Sequence, residues 1–183
     1  MKVAILGAGA GGTAAVAELT LAGHDVTLWN RSEQTLAPLI ALGGVGYEGV
    51  LGQGIARPRA ITGDIGEAIA GADVAVVALP TFSHAPVARA LAEAGWPNTL
   101  PVVLNPGHTG GALEFAHAFR GVRRDLPPVA EFSTLTYVAR KYQPDRVTVT
   151  GRARHVRAAA LPGGKKALDA ACALFPGASP VGD

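Results

Sequence analysis

Short apolar runs alternate with longer stretches of helical spacing over the first two thirds of the chain. Four such runs, KVAIL, DVTLW, DVAVVAL and PVVLN, begin at Lys2, Asp25, Asp73 and Pro101. Continuous apolar runs of this length, rich in β-branched residues, are typical of parallel strands that are buried on both faces. The pattern therefore predicts alternating β-strands and α-helices around a mostly parallel sheet.

The stretches between the apolar runs carry helix signals. GTAAVAELTLAG places Ala15 and Leu19 on one helical face and ends at Gly23, a predicted C-cap. SEQTLAPLIALGG begins with Ser32 as a predicted N-cap, and Pro38 is expected to shorten or kink this second helix. DIGEAIAG, SHAPVARALAEAG, GALEFAHAFRG and GGKKALDAACALF are predicted to be the later helices.

Two regions break the alternation. The glycine-rich residues 43–63 are better described as a β-hairpin or irregular strands than as a helix. Further strands are expected in PVAEFSTLTYVAR, DRVTVTG and HVRAAAL. With no linker or repeat between these parts, residues 1–183 are predicted to form one domain, an α/β fold with a doubly wound, mostly parallel sheet and helices on both faces.

Composition narrows the classes of partner. Apolar residues make up 49% of the chain and charged residues 16%, which argues against disorder, and the net charge of +2 gives little reason to expect nucleic acid or a membrane. The single cysteine, Cys172, lies in an apolar helical stretch and is predicted to be a buried structural thiol. The absence of a signal-like or membrane-length apolar run predicts a cytoplasmic protein.

The spacing G-x-G-x-x-G occurs at Gly7, Gly9 and Gly12. In a chain with 24 glycines this pattern is expected by chance about 0.4 times, and a second match, GVGYEG, begins at Gly44. Only the first follows a predicted strand and opens a predicted helix. Context therefore favours the first as a Rossmann-like dinucleotide site, the alternative being a strand-to-helix turn without a ligand.

In that site each small residue has a separate role. Gly7 permits the tight turn, Gly9 lets the backbone approach a pyrophosphate, and Gly12 allows close packing of helix on strand. The diphosphate would meet backbone N–H groups at the start of the helix, including those of Ala10 and Gly11.

In a dinucleotide-binding fold, the residues at the end of the second strand contact the adenosine ribose of the cofactor. Here these residues are WNRS, in which Asn30 is uncharged, Arg31 can pair with a 2′-phosphate and Ser32 can donate a hydrogen bond to it. This predicts NADP(H) in preference to NAD(H). In the alternative reading Arg31 is a surface charge and Ser32 only a helix cap.

Two more turns follow predicted strands, where ligands bind in open α/β sheets. LPTFSH places Leu79 and Pro80 beside the expected ribose and nicotinamide, with His84 close by. LNPGHTGGALEF presents Asn105 and Gly107 to the cofactor or to an anionic substrate, unless it is an ordinary strand-to-helix loop.

No arrangement of residues predicts a metal site or a nucleophile, because the five histidines are scattered and the one cysteine has no paired base in sequence. No catalytic residue is assigned. The sequence leaves two roles open for Glu131, that of a buried polar group and that of a residue bordering the site.

The run NPGHTGGALEF, with VAILGAGAGGTAAVAELTLAGHDVTLWNRS before it and AEFSTLTYVAR and VTVTG after it, resembles the octopine/nopaline (opine) dehydrogenase family over essentially all 183 residues. The resemblance implies reductive condensation of an amino acid with a 2-keto acid, using NADH or NADPH. It also implies that the general acid/base His and its Asp partner lie in a C-terminal helical domain. No position of this chain matches them, so we expect a dinucleotide-binding domain that is inactive alone.

Three alternatives remain at this point. The chain is part of an opine dehydrogenase-type enzyme that meets its amino acid and keto acid only with a catalytic domain, or a non-catalytic NADPH-binding module, or a relative of glycerol-3-phosphate and ketopantoate reductases. The NPGHTGGALEF run argues against the third. A face that a second domain normally covers would let the chain form a homodimer, which is a hypothesis.

Overall fold

A computed structural model gives the fold and describes residues 1–181. The strands of this part of the chain are β1 (Lys2–Leu6), β2 (Asp25–Trp29), β3 (Val45–Gly49), β4 (Gly54–Ala56), β5 (Ala60–Thr62), β6 (Val74–Val77), β7 (Val102–Leu104), β8 (Val129–Phe132), β9 (Tyr137–Gln143), β10 (Arg146–Arg152), β11 (Val156–Ala160) and β12 (Ala178–Pro180). The α-helices are α1 (Ala10–Leu21), α2 (Glu33–Leu42), α3 (Ile65–Ile69), α4 (His84–Glu93), α5 (Gly111–Arg120) and α6 (Lys165–Leu174).

The larger sheet has eight strands in the order β12-β11-β8-β7-β6-β1-β2-β5. All neighbours from β5 to β8 are parallel, β11 runs antiparallel to β8, and β12 is parallel to β11. The chain leaves β1 towards β2 on one side and later returns to β6 on the other. This reversal of strand order creates a switch point between β1 and β6, where the adjoining connections separate and leave a crevice.

Each central strand supplies two hydrophobic cores. On β1, Val3 and Ile5 pack into the core on one face of the sheet, and Ala4 and Leu6 into the core on the other. Side chains alternate along a strand, so a sheet that is covered on both faces needs continuous apolar strands. This is the physical reason for the uninterrupted apolar runs in the sequence.

The two cores are covered by different elements. Helices α1, α2 and α6 contribute to the core that holds Val3 and Ile5, and α3, α4 and α5 to the opposite one. The predicted α/β fold, with a mostly parallel sheet and helices on both faces, is therefore confirmed.

A second sheet covers α1. It has the order β4-β3-β10-β9, with β3 and β4 forming an antiparallel hairpin and β10 pairing in parallel with β3. The Tyr137 hydroxyl on β9 donates to Glu18 on α1 at 2.6 Å, and Arg152 on β10 forms an ion pair with the same carboxylate. Residues distant in sequence thus join the second sheet to the first helix.

One local expectation needed correction, and one strand was missed. Helix α2 begins after Ser32 as predicted but runs through Pro38 to Leu42, where Gly43 caps it in the left-handed conformation. Proline in a helix interior loses one hydrogen bond without necessarily ending the helix, and here the buried Leu36 and Leu39 hold both sides against the core. Strand β12 was not predicted. No helix in residues 1–181 has both the length and the apolar character that crossing a membrane requires.

Candidate functional site

The loops that leave the carboxyl ends of β1, β2, β6, β7 and β8 meet along one edge of the larger sheet, because these strands are parallel and adjacent. All the segments selected from the sequence as ligand-binding lie in these loops or at the starts of the helices that follow them. The fold therefore brings the predicted site residues to one edge, at the switch point between β1 and β6.

The loop between β1 and α1 has the geometry that its glycines predict. Gly7 has a φ of 122°, a left-handed conformation, and its N–H donates to the carbonyl of Trp29 at 2.8 Å. A Cβ on Gly12 would overlap the Gly7 carbonyl oxygen, so this glycine permits the close packing of α1 on the turn. A Cβ on Gly9 would meet nothing within 4 Å. The loop is therefore tight where the chain turns and open at Gly9.

The end of β2 is tied to the same loop. Asn30 accepts a hydrogen bond from the Ala8 N–H at 3.1 Å through Oδ1, and its amide donates to the Ser32 carbonyl at 3.4 Å. The Ser32 hydroxyl accepts from the Thr35 N–H at 3.4 Å and leaves its own hydrogen free to donate. Asn30 thus fixes the spacing of the two turns, while the exposed Arg31 extends beside them.

A cavity of about 300 Å³ opens between the end of β2 and the start of α4. One wall is the turn after β2 that is predicted to contact the ribose, and the opposite wall is mostly apolar. The lining residues are Trp29, Asn30, Arg31 and Ser32 on the first wall and Leu79, Phe82, Ser83, Pro86, Val87 and Ala90 on the second. The Phe82 side chain is 80% exposed on this wall. A volume of this size with apolar walls and few polar groups is typical of a small-ligand pocket.

A larger groove of about 400 Å³ lies between α1, β10 and the residues after α6. The charged groups of Glu18 and Arg152 face this groove but form an ion pair with each other. The smaller cavity is the better candidate because two of its lining residues, Asn30 and Leu79, contact the glycine loop at Ala8 and Gly7.

The loop after β6 borders the crevice. The Leu79 side chain packs against Gly7, where a Cβ on the glycine would lie 2.7 Å from it. Pro80 is exposed and precedes a single 3₁₀ turn, Thr81–Ser83, that leads into α4. The direct contact of Leu79 and Pro80 with a cofactor stays a prediction.

The loop after β7 uses its polar groups internally. Asn105 is 0% exposed; its amide donates to the Thr136 hydroxyl at 2.9 Å, and its Oδ1 accepts from the Thr136 N–H at 3.1 Å. The Gly107 N–H donates to the carbonyl of Phe132 at 3.0 Å. Asn105 and Gly107 are thus buried and hydrogen-bonded within the protein, and their direct contact with a cofactor stays a prediction.

The position of the Glu131 side chain explains why this loop has glycine at positions 107 and 111. A Cβ on Gly107 would overlap the Glu131 side chain, and a Cβ on Gly111 would lie 3.3 Å from its Oε2. The same oxygen accepts the Ala112 N–H at 2.7 Å, at the start of α5. Desolvation raises the pKa of the Glu131 carboxyl, against the opposing effects of the Ala112 N–H and of His108. Glu131 therefore occupies the space that the loop glycines leave, at the N-terminus of a helix.

His84 lies on the other side of Gly111. It is 0% exposed, and its Nδ1 would be 3.0 Å from a Cβ on that glycine. Burial lowers the pKa of the imidazole, while the nearby carbonyls of Leu79 and Pro106 act in the opposite direction. Within residues 1–181 neither ring nitrogen makes a hydrogen bond of good geometry. The sequence placed His84 near the site but did not indicate its burial.

Two residues of the site were missed by the sequence analysis. Leu135, in the loop after β8, covers Gly11, and the Lys141 Nζ on β9 donates to the Ala8 carbonyl at 3.4 Å. Leu135 follows β8 at its carboxyl end but was not selected from the sequence, and Lys141 lies on a strand of the second sheet, outside any motif. The signal that could have found Lys141 is the inward face of β9, which requires knowing that β9 packs on α1.

Neither a metal cluster nor a reactive thiol emerges from the described part of the chain. Residues 1–181 contain no group of three or more His, Cys, Asp or Glu side chains that could hold a metal ion. Cys172 is half-buried rather than buried, and desolvation, together with Asp169, raises the pKa of its thiol. A raised thiol pKa lowers the thiolate fraction, in agreement with a structural role.

Residues 3–154 match the sequence model of the family described as "Ketopantoate reductase PanE/ApbA". The chain therefore belongs to the ketopantoate reductase PanE/ApbA family. The matched residues include the NPGHTGG loop, so the expectation that this run argues against a relationship with ketopantoate reductases is wrong at the level of the family.

The resemblance to opine dehydrogenases is confirmed. An opine dehydrogenase of Arthrobacter sp. (strain 1C) is 35% identical over 162 residues, which cover 88% of this chain and 45% of that protein. The chain thus spans less than half the length of this curated relative.

Two solved structures share the fold. Octopine dehydrogenase in complex with NADH and agmatine has a TM-score of 0.81 at 23% identity, covering 99% of this chain and 48% of the other. NADP⁺-bound yersinopine dehydrogenase has a TM-score of 0.72 at 17% identity, covering 100% and 47%. At these identities the likeness establishes the Rossmann-like architecture alone.

Proposed function

We propose that residues 1–183 form the dinucleotide-binding domain of an opine dehydrogenase-type oxidoreductase. The observation that carries the proposal is the open glycine loop at Gly9, set at the switch point of the sheet beside a cavity of about 300 Å³. The similarity to the Arthrobacter opine dehydrogenase over 88% of the chain supports this class of reaction. The reaction would join an amino acid to a 2-keto acid by reduction.

The residues present fit a dinucleotide. The backbone N–H groups of Ala10 and Gly11 begin α1 and would meet the diphosphate, with no side chain at Gly9 to exclude it. The cavity beside Arg31 and Phe82 would take the adenosine, and Leu79 and Pro80 would border the ribose and nicotinamide. When bound, the reduced nicotinamide would supply the hydride for the reaction.

We infer a preference for NADP(H) from the turn after β2. Arg31 is exposed and lines the cavity, and the Ser32 hydroxyl can still donate a hydrogen bond. Asn30 stands where a carboxylate would repel a 2′-phosphate. The nearby Glu33 lines a different surface groove, with Ile61 and Gly63.

Titrations of NADPH and NADH against the chain test both binding and preference. NADPH should bind more tightly than NADH, and Arg31→Ala should reduce NADPH affinity more than NADH affinity. Arg124→Ala, which removes the same charge from an exposed residue beyond the far end of α5, is the matched control. Tighter binding of NADH would overturn the preference, and failure to bind either would overturn the function.

The chain alone is proposed to bind cofactor without turnover. The opine dehydrogenase resemblance assigns the acid/base His and Asp to a helical domain, and no residue of this chain matches them. NADPH, pyruvate and a panel of amino acids should therefore give no oxidation of NADPH by the chain. Robust turnover would show that the chain holds its own acid/base group.

The family match favours one second candidate, reduction of a 2-keto acid without an amine. Full-length protein that contains this chain separates the two. An opine dehydrogenase-type enzyme should oxidise NADPH only when both keto acid and amino acid are present. A ketopantoate reductase-type enzyme should need the keto acid alone, and a non-catalytic module should bind cofactor without oxidising it under any of these conditions.

A further inference from the structure

Strand β9 presents alternate residues to α1. Tyr137 and Ala139 are buried in the core, and Lys141 is the next residue of the same inward row. Val138 and Arg140, between them, are exposed. The row begins beside Glu18, in the later part of α1, and ends beside the glycine loop. A lysine therefore occupies an inward position next to the N-terminus of α1.

The Lys141 ammonium contacts the glycine loop directly. Its Nζ donates to the Ala8 carbonyl at 3.4 Å, and Ala8 lies between the two glycines that form the turn. The side chain is half-buried, and desolvation lowers the pKa of its ammonium, partly offset by Asp145. The protein thus holds a cation where water solvates it poorly.

The electrostatic surroundings compensate this charge only in part, through Asp145. The N-terminus of a helix carries a partial positive charge, and α1 has no acidic residue in its first turn. In residues 1–181 no carboxylate lies within ion-pair distance of Lys141. A cation beside the positive end of a helix, without a carboxylate in direct ion-pair contact, is complementary to an anion placed between the two.

We propose that Lys141 binds the diphosphate of the dinucleotide, so that the second sheet supplies a cation opposite the N–H groups of α1. The inference rests on the proposed function. It assigns to β9 a binding role in addition to its packing on α1. The diphosphate would then be held from two sides, by the helix start and by the ammonium.

The test uses Lys141→Met, which keeps most of the apolar stem and removes the charge. Lys141→Arg restores a cation, and Arg140→Met removes the same charge from the exposed face of the same strand. Each variant and the unmodified chain are titrated with NADPH, with ADP and with adenosine 2′-monophosphate. Urea unfolding verifies that every variant is folded.

Lys141→Met should weaken the affinity for NADPH and for ADP by about tenfold. The affinity for adenosine 2′-monophosphate, which lacks a diphosphate, should stay within about twofold of that of the unmodified chain. Lys141→Arg should retain most of the affinity, and Arg140→Met should bind all three as the unmodified chain does. Unchanged NADPH binding by Lys141→Met, or an equal loss for adenosine 2′-monophosphate, would overturn the role of Lys141 while the proposed function stands. If the unmodified chain binds neither NADPH nor NADH, both proposals fail.

Discussion

The two glycine-rich loops of the site, GAGAGG at residues 7–12 and NPGHTGG at residues 105–111, look alike in sequence and differ in what fills them. In the first loop the position beside Gly9 is open. In the second, the positions beside Gly107 and Gly111 are filled by Glu131 and His84. At these positions glycine makes room for the protein's own side chains in the second loop and leaves space in the first, where we propose that the diphosphate binds. The contrast is limited to these positions, because Leu135 covers Gly11 in the first loop and Gly110 in the second is open.

The difference follows from what each loop faces. The first lies at the switch point, where neighbouring connections diverge and leave a crevice. The second is followed in space by β8, which places Glu131 directly against Gly107 and lets its carboxylate accept the Ala112 N–H. A carboxylate at that helix N-terminus already satisfies the charge preference that an external anion would otherwise meet.

Gly107→Ala is the strongest test of the filled loop. The new Cβ would overlap the Glu131 side chain, so we expect the free energy of unfolding to fall by about 3 kcal/mol, measured by urea denaturation. Gly63→Ala is the control, because its Cβ would have only ordinary contacts, the nearest at 3.9 Å. Equal stability of the two variants would mean that Glu131 does not occupy this space.

Asn105→Ala tests whether this loop is held by internal hydrogen bonds. It removes both contacts to the buried Thr136 and leaves that residue's N–H and hydroxyl without their partner. The free energy of unfolding should fall by about 1–3 kcal/mol. Asn98→Ala, at an exposed asparagine, should change it little. If Asn105→Ala were as stable as the unmodified chain but bound NADPH poorly, Asn105 would act on the ligand rather than on the loop.

Gly9→Ala tests the open loop, where we expect a loss of NADPH affinity with little change in the free energy of unfolding. The φ of Gly9 is −71°, which any residue adopts, and its Cβ would contact nothing in the protein. The free energy of unfolding should therefore change by less than about 0.5 kcal/mol, whereas NADPH affinity should fall by about tenfold because the methyl group stands where the diphosphate approaches. Undiminished affinity, measured by calorimetric titration, would remove Gly9 from the site.

The pH dependence of stability gives the smallest expected effect. Burial lowers the pKa of His84 in the folded chain, so below a pH of about 6.5 the unfolded chain takes up a proton that the folded one resists. This contribution to stability is present above that pH and is lost as the pH falls from it towards the lower pKa of the folded state. His84→Gln should reduce the difference in unfolding free energy between about pH 7.5 and about pH 5.5. An unchanged difference would show that His84 ionises as readily in the folded state.

Local patterns predicted much of the fold because each depends on near neighbours. The apolar runs identified the central strands, Ser32 marked the start of α2, and the position of Gly7 between a strand and a helix marked the turn. The structure confirmed the architecture and provided the open space at Gly9. Cofactor contacts at Arg31 and Leu79 remain predictions.

The sequence by itself determined the order of the strands and helices apart from β12, and the place of the glycine turn, because each element depends on residues within one or two turns of each other. It also carried the resemblance to a family, through runs of neighbouring residues. Only the tertiary structure decided which loop glycines have the space beside them occupied by a side chain. Glu131 lies on β8 and Gly107 in the loop after β7, and the two meet because these strands are neighbours in the sheet. The tertiary structure also decided that Lys141 reaches Ala8, 133 residues away, which follows from the packing of the second sheet on α1. Contacts of that range are set by how layers pack, and periodicity along the chain carries no record of them.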